Sequence, residues 1–235
     1  MKKNRMMRLA SGLLVAVLLT TCAISGTFAK YVTRDSGSDF ARVAKWGVTV
    51  EAESFNLFAD KYETDDSTAT FTGSYSVESA DGKDVFAPGT SGTFADFAIT
   101  GTPEVAVDVA VVATVEVSGD WVVNGDFYCP IVITVGDTAI CGLAYDDAAD
   151  FAKAIKDELD GKSAQYAPNK DLSDIDDEFE ISWEWAFEDA DHVALNCDCA
   201  AGAQTDAKDT VLGDKAVAGD LKIAIGVEIS VTQID

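Results

Sequence analysis

Glu104-Val105-Ala106-Val107-Asp108-Val109-Ala110-Val111-Val112-Ala113-Thr114-Val115-Glu116-Val117 decides the fold. Its odd positions hold Val105, Val107, Val109, Val111, Ala113, Val115 and Val117, and its even positions include Glu104, Asp108, Thr114 and Glu116. Side chains of an extended chain point alternately to opposite faces, so this pattern gives a strand with one face in a core and one in water. Three other stretches repeat it. In 44–52, Ala44, Trp46, Val48, Val50 and Ala52 oppose Lys45, Thr49 and Glu51. In 181–187, Ile181, Trp183, Trp185 and Phe187 oppose Ser182 and Glu184. In 221–231, Leu221, Ile223, Ile225, Val227, Ile229 and Val231 alternate with Lys222, Glu228 and Ser230. Shorter strands are predicted at about 69–79, 92–100, 127–135 and 139–144. The last two flank Gly136-Asp137, where Gly at the first central position suits a type II′ hairpin, and facing residues then sum to about 273.

One stretch changes period. Ala148, Phe151, Ala152, Ile155 and Leu159 recur at helical spacing between an Asp146/Asp147 cap and Gly161, which predicts a helix over about 147–160. The acidic segment 162–179 reads as a loop returning to the Trp183 strand. About eight half-buried strands around one helix predict an all-β fold, an antiparallel β-sandwich with one inserted α-helix. No linker divides it, so 46–235 reads as one domain with a helix and acidic-loop insertion at 146–179.

Charge sharpens the reading. The 235-residue chain carries 17 Lys and Arg against 41 Asp and Glu, a formal net charge of −24. That excludes a nucleic-acid binder, which needs clustered cations. The hydrophobic fraction of 48% excludes a disordered acidic tail, because disorder needs low hydrophobicity as well as charge.

The first 29 residues read as a secretory signal peptide. Lys2, Lys3, Arg5 and Arg8 precede an apolar run from Leu9 to about Ile24, and no acid appears before Asp35. Ser25-Gly26-Thr27-Phe28-Ala29 supplies a small-residue cleavage site, with the cut after Ala29 and Thr27 at the −3 position. A lipobox reading of Leu19-Thr20-Thr21-Cys22 is weaker, since Thr21 stands where Gly, Ala or Ser is wanted. The product is expected to be secreted, extracellular or on the cell surface. Its N-terminal arm, 30–45, has four Lys and Arg against two Asp, a net +2, beside a body of net −30.

Few residues offer chemistry. The single histidine, His192, lies in Glu188-Asp189-Ala190-Asp191-His192 and reads as a solvated loop residue. It cannot form a two-histidine zinc motif, and no nucleophile elbow accompanies it, so no catalytic residue is assigned. Asp171, Asp174, Asp176, Asp177 and Glu178 could supply oxygens to a structural calcium, although their spacing is not that of an EF-hand. No other cofactor is expected. Cys129, Cys141, Cys197 and Cys199 permit a disulfide framework in an exported chain, with one bridge from the 129/141 hairpin to the 197/199 loop favoured. The spacing shows no Cys-x-x-Cys zinc pair. Trp183 and Trp185 could stack on sugar rings, but Ile181 and Phe187 extend the same face, and an unbroken apolar face is core.

Several motifs then resemble one family. Gly26-Thr27-Phe28-Ala29-Lys30-Tyr31-Val32, followed by Phe40-Ala41-Arg42-Val43-Ala44 and the first strand, resembles exported proteins of the TasA/camelysin type, which depend on a SipW-like signal peptidase. Ala87-Pro88-Gly89-Thr90-Ser91-Gly92, Trp183-x-Trp185 and Asp209-Thr210-Val211-Leu212-Gly213 are similar to motifs of TasA-like surface proteins of Gram-positive bacteria. The resemblance implies a jelly-roll-like sandwich that polymerises head to tail with copies of itself into fibres of a biofilm matrix. In such fibres the arm freed by signal cleavage adds as a strand to the next subunit. Tyr31, Val32, Arg34, Phe40, Arg42 and Val43 would be the assembly residues of that arm. The metalloprotease class given to camelysin-like members is not expected here, because no zinc motif is present. The competing expectation is a monomeric adhesin or carbohydrate-binding β-sandwich.

Overall fold

A computed structural model describes residues 14, 42–52, 56–63, 74–94, 97–195, 199–200, 202–216 and 221–234, with the backbone alone at 51–52, 97–98 and 176–178. Met1–Val43 and Ala44–Asp235 are separate compact units, and every strand among the described residues belongs to the second. Among the described residues no helix is long and apolar enough to cross a membrane.

Most of the period-two sequence becomes strand, but of 44–52 only Thr49–Ala52 does, with Trp46 39% and Val50 38% exposed, and Phe187 lies past the end of the Trp183 strand at 65% exposed rather than in the core. The strands are β1 (Thr49–Ala52), β2 (Lys61–Glu63), β3 (Tyr75–Glu78), β4 (Thr90–Phe94), β5 (Phe97–Thr100), β6 (Val107–Ser118), β7 (Val122–Val123), β8 (Asp126–Phe127), β9 (Ile131–Val135), β10 (Thr138–Cys141), β11 (Ala164–Tyr166), β12 (Ile181–Trp185) and β13 (Lys222–Gln233). The helices are α1 (Ala148–Asp160), α2 (Asp189–Ala194) and α3 (Asp206–Ala216). Every pairing is antiparallel. A four-stranded sheet runs β10-β9-β12-β4, a three-stranded sheet runs β11-β6-β13, and β1-β5, β2-β3 and β7-β8 form ribbons. This is the all-β, sandwich-like class that the alternation predicts.

The two larger sheets share one core. Val107, Val109, Val111 and Ala113 of β6 and Ile223 and Ile225 of β13 join Ile131, Ile133 and Val135 of β9 and Ile181, Trp183 and Trp185 of β12 in a single buried cluster. Val112, at an even position of β6, is 55% exposed, as the alternation demands. The β9–β10 hairpin has the expected register, with Thr138 opposite Val135 and Cys141 opposite Val132. Gly136 takes the positive φ (+56°) that opens a type II′ turn.

Helix α1 forms where its spacing predicts. The Asp147 carboxylate caps it by accepting from the Asp150 N–H at 2.8 Å, and Phe151, Ile155 and Leu159 are its buried stripe, packed against β6 and β9–β10. Three further expectations need correction. The predicted strand 92–100 is two strands in different sheets, β4 pairing with β12 and β5 with β1. The acidic loop 162–179 contains β11, paired to β6, and a 3-10 helix, Leu172–Phe179, that buries Leu172, Ile175 and Phe179. The single inserted helix is accompanied by α2 and α3, which the sequence reading leaves as loops.

Candidate functional site

The long edges of the three-stranded sheet differ. One side of β6 pairs with β13 over its whole length, from Val107 opposite Gln233 to Ser118 opposite Lys222. On its other side β11 covers Val107–Val109. Beyond β11 the chain leaving α1 takes over: Val111 N–H donates to Ser163 Oγ at 3.0 Å and Ala113 N–H to Asp160 Oδ1 at 2.8 Å. Side chains thus cover that edge as far as Ala113. The outer edge of β13 has no hydrogen-bonded strand beside it among the described residues. A 12-residue edge without proline is a template for another strand unless something blunts it.

Beside the first half of β13 lies an apolar groove. A cavity of about 340 Å³ is lined by Leu57, Phe58, Phe86, Leu221, Ile223 and Ile225, among others. A second, of about 560 Å³, shares Asp84, Phe86, Leu221 and Lys222 with it and reaches Trp121, Trp185 and Leu212 of α3. Phe86 stacks on Trp121 at 5.8 Å and leans on Trp185 at 6.1 Å, so the groove wall is aromatic. Trp185 is 5% exposed, and its buried indole N–H finds no acceptor among the described residues. An unsatisfied buried donor is uncommon and calls for a missing acceptor.

The α3 wall of the groove is held by a buried polar network. Tyr128 OH donates to Asp209 Oδ1 at 2.6 Å, and Gln204 Nε2 donates to Asp209 Oδ2 at 3.0 Å and to the Ala186 carbonyl at 2.7 Å. Burial, and then the Asp209 carboxylate beside it, push the Tyr128 phenol well above its ordinary range.

His192 is not a solvated loop residue. It lies in α2 and is wholly buried, with Nε2 3.1 Å from Cys141 Sγ at the end of β10. Cys199 completes a group whose three ligand atoms lie within 4.8 Å of one another. Burial lowers the His192 pKa, while Asp189 and Asp209 pull the other way. In the four-stranded sheet Cys141, Val132 and Glu184 form one cross-strand row. Burial raises the Glu184 carboxyl there, and Asp191 of α2 adds to the rise.

Of the four cysteines after Cys22, the fold brings Cys141 to Cys199. Cys129 is buried as a free thiol, its pKa pushed up to about 12 by burial, and Cys197 lies outside the described residues. Trp183 and Trp185 are core, with Trp183 donating to the Leu57 carbonyl at 2.8 Å, so neither offers a face to a sugar ring. Asp171 accepts from Ser173 N–H and Oγ, and Asp174 pairs with Lys170 at 2.7 Å; the side chains of Asp176, Asp177 and Glu178 lie outside the described residues. In the arm, Arg42 Nη1 donates to the Val43 carbonyl and Val43 is 92% exposed. Tyr31, Val32, Arg34, Phe40 and the cleavage-site Thr27 and Ala29 lie outside the described residues. The Asp209–Gly213 motif falls in α3.

The sequence carries no signal for the groove, because its lining comes from segments far apart in the chain. No family model matches this chain, and neither a curated protein nor a solved structure matches it.

Proposed function

We propose that this chain is a secreted structural subunit of an extracellular fibre, non-enzymatic, assembling head to tail by strand addition. The edge of β13 that no strand pairs among the described residues, beside its apolar groove, carries the reading. The occupant is the arm 30–45 of a second copy. Its backbone would pair with β13, and apolar residues such as Tyr31, Phe40 and Val43 would enter the groove, the mode in which main-chain bonds give affinity and pockets give register. Charge fits the same occupant, since the arm is net +2 and the body net −30. A SipW-like peptidase would free the arm during export, and a Gram-positive biofilm matrix is the setting the resemblance implies.

The test compares three proteins by electron microscopy and sedimentation. The chain beginning at Lys30 is expected to form filaments, and the one lacking 30–43 to stay monomeric. The third carries Gly213→Trp, which obstructs the α3 end of the groove from a position where an added Cβ meets nothing within 4 Å. It is expected to remain folded and to lose assembly. A Lys30 chain that is monomeric in all salt and pH conditions, or filaments that persist without 30–43, would overturn the proposal.

A further inference from the structure

Among the described residues, one cluster of soft ligand atoms is not used by the fibre reading. Cys141 closes β10, His192 sits on α2 and Cys199 lies beyond it, so three separate segments converge. Cys141 and His192 are 51 residues apart in sequence, which is why spacing does not announce the set.

The geometry points to a transition-metal site, with Zn²⁺ as its ion, held by Cys141 Sγ, His192 Nε2 and Cys199 Sγ. With Zn–S about 2.3 Å and Zn–N about 2.0 Å, donor atoms around a tetrahedral ion stand roughly 3.5–3.8 Å apart. Here Cys141 and His192 are at 3.1 Å and the three atoms all fall within 4.8 Å, a spread that brackets those separations. Two thiolates and an imidazole favour zinc-class ions and disfavour calcium and magnesium, which take oxygen.

The three protein donors leave one position of a tetrahedral ion to water or another group, and the surroundings hold those three in place. Cys141 is 2% exposed and His192 fully buried, so the site is shut away from bulk water on two of its three sides. The chain leaving Cys199 is tied back to α2, because the Asp189 carboxylate accepts from Gly202 N–H at 2.6 Å and Gln204 N–H at 3.1 Å. An ion here would cross-link β10, α2 and the segment leading into α3. Since the unfolded chain has no such site, its binding energy would become folding energy.

The competing chemistry for these atoms is a Cys141–Cys199 disulfide, and the experiment separates the two. The full chain is reduced, stripped with chelator and titrated with Co²⁺ as probe, then with Zn²⁺. The expected result is one Co²⁺ per chain, with a thiolate-to-cobalt charge-transfer band and tetrahedral d–d absorption, both abolished by Zn²⁺. Zinc at a hundredfold excess over its Kd should raise the thermal midpoint by about 5–10 °C. Cys199→Ser, at a half-buried position that tolerates the change, should weaken binding at least about 100-fold, beyond what loss of an outer-shell partner does. Cys141→Ser should do the same, while Cys129→Ala, outside the cluster, should bind as the parent does. If Cys141→Ser does not fold, Cys199→Ser alone decides. Folded, reduced protein with no cobalt absorption, or undiminished binding by Cys199→Ser, would overturn the assignment. So would a mapped Cys141–Cys199 disulfide whose reduction restores no metal uptake.

Discussion

The Asp160 carboxylate, at the last position of α1, accepts a hydrogen bond from the main-chain N–H of Ala113, in the middle of β6, at 2.8 Å. It also pairs with Lys156 one turn back. The Lys156 hydrogen bond first, and the Ala113 N–H second, hold its pKa below the ordinary carboxylate range. A folded-state pKa below the unfolded one contributes stability above the unfolded value and loses it as pH falls through the folded value. Asp160→Ala should therefore cost about 1 kcal/mol at neutral pH, a charged hydrogen bond discounted for partial exposure. Urea melts of the two proteins should converge below the carboxylate range.

Gly92, in β4, faces Trp183 and the 57–58 segment. A Cβ there would lie 2.4 Å from the Leu57 carbonyl oxygen and 2.6 Å from Trp183 Nε1, the two atoms that hydrogen-bond each other. Neither can give way without breaking that bond. Gly92→Ala is expected to destabilise by about 3 kcal/mol, from overpacking plus the strained bond. Chemical denaturation measures the loss, and a shift in tryptophan emission reports the displaced indole.

Tyr128→Phe leaves the buried Asp209 carboxylate with Gln204 alone of the two side-chain donors it now has. The expected cost is about 1.5–3 kcal/mol, the range for a hydrogen bond to a charged group. In the parent, this phenol should stay protonated through the pH range in which exposed tyrosines ionise. A spectroscopic titration should find fewer phenolates in the folded parent than after denaturation, and Tyr128→Phe should remove Tyr128 from that deficit.

Arm charge should govern the rate of assembly more than its endpoint, because steering by exposed charges acts on encounter. Arg34→Glu with Arg42→Glu is expected to slow filament growth roughly tenfold at low salt. The difference should shrink as added salt shortens the Debye length. Light scattering across a salt series measures it. Equal rates at low salt would count against electrostatic docking.

The fold was legible where one pattern spans an element. β6, β12, β13 and α1 each follow a single period, and the β9–β10 register was readable from one turn. Elements stabilised mainly by distant partners were not. α3 buries only Asp209 and Leu212, too few to print a period on the sequence. The Leu172–Phe179 segment did carry a signal, Leu172, Ile175 and Phe179 at helical spacing, but it was masked by the acids around them. Asn124-Gly125, with φ of +58° and +98°, is a hairpin turn signal that could have located β7 and β8. The Cys/His/Cys group was unreadable for a different reason. His192 follows Glu188, Asp189 and Asp191, acids that suggest solvent, and only the sheet brings Cys141 beneath it.

The inequality of the two sheet edges has a further consequence. The Ser163 and Asp160 side chains cover part of the far side of β6, and no described strand pairs with the outer side of β13, so the proposed assembly uses one acceptor edge per protomer. With one donor arm as well, a polymer made this way has two chemically different tips. One presents an empty groove and the other an undocked arm. Such a chain is directional and cannot branch. A protomer lacking 30–43 keeps its acceptor and has no arm to donate, so it should act as a terminator. Added in trace amounts to growing filaments, it would bind the undocked arm at one tip and set filament length without changing filament structure.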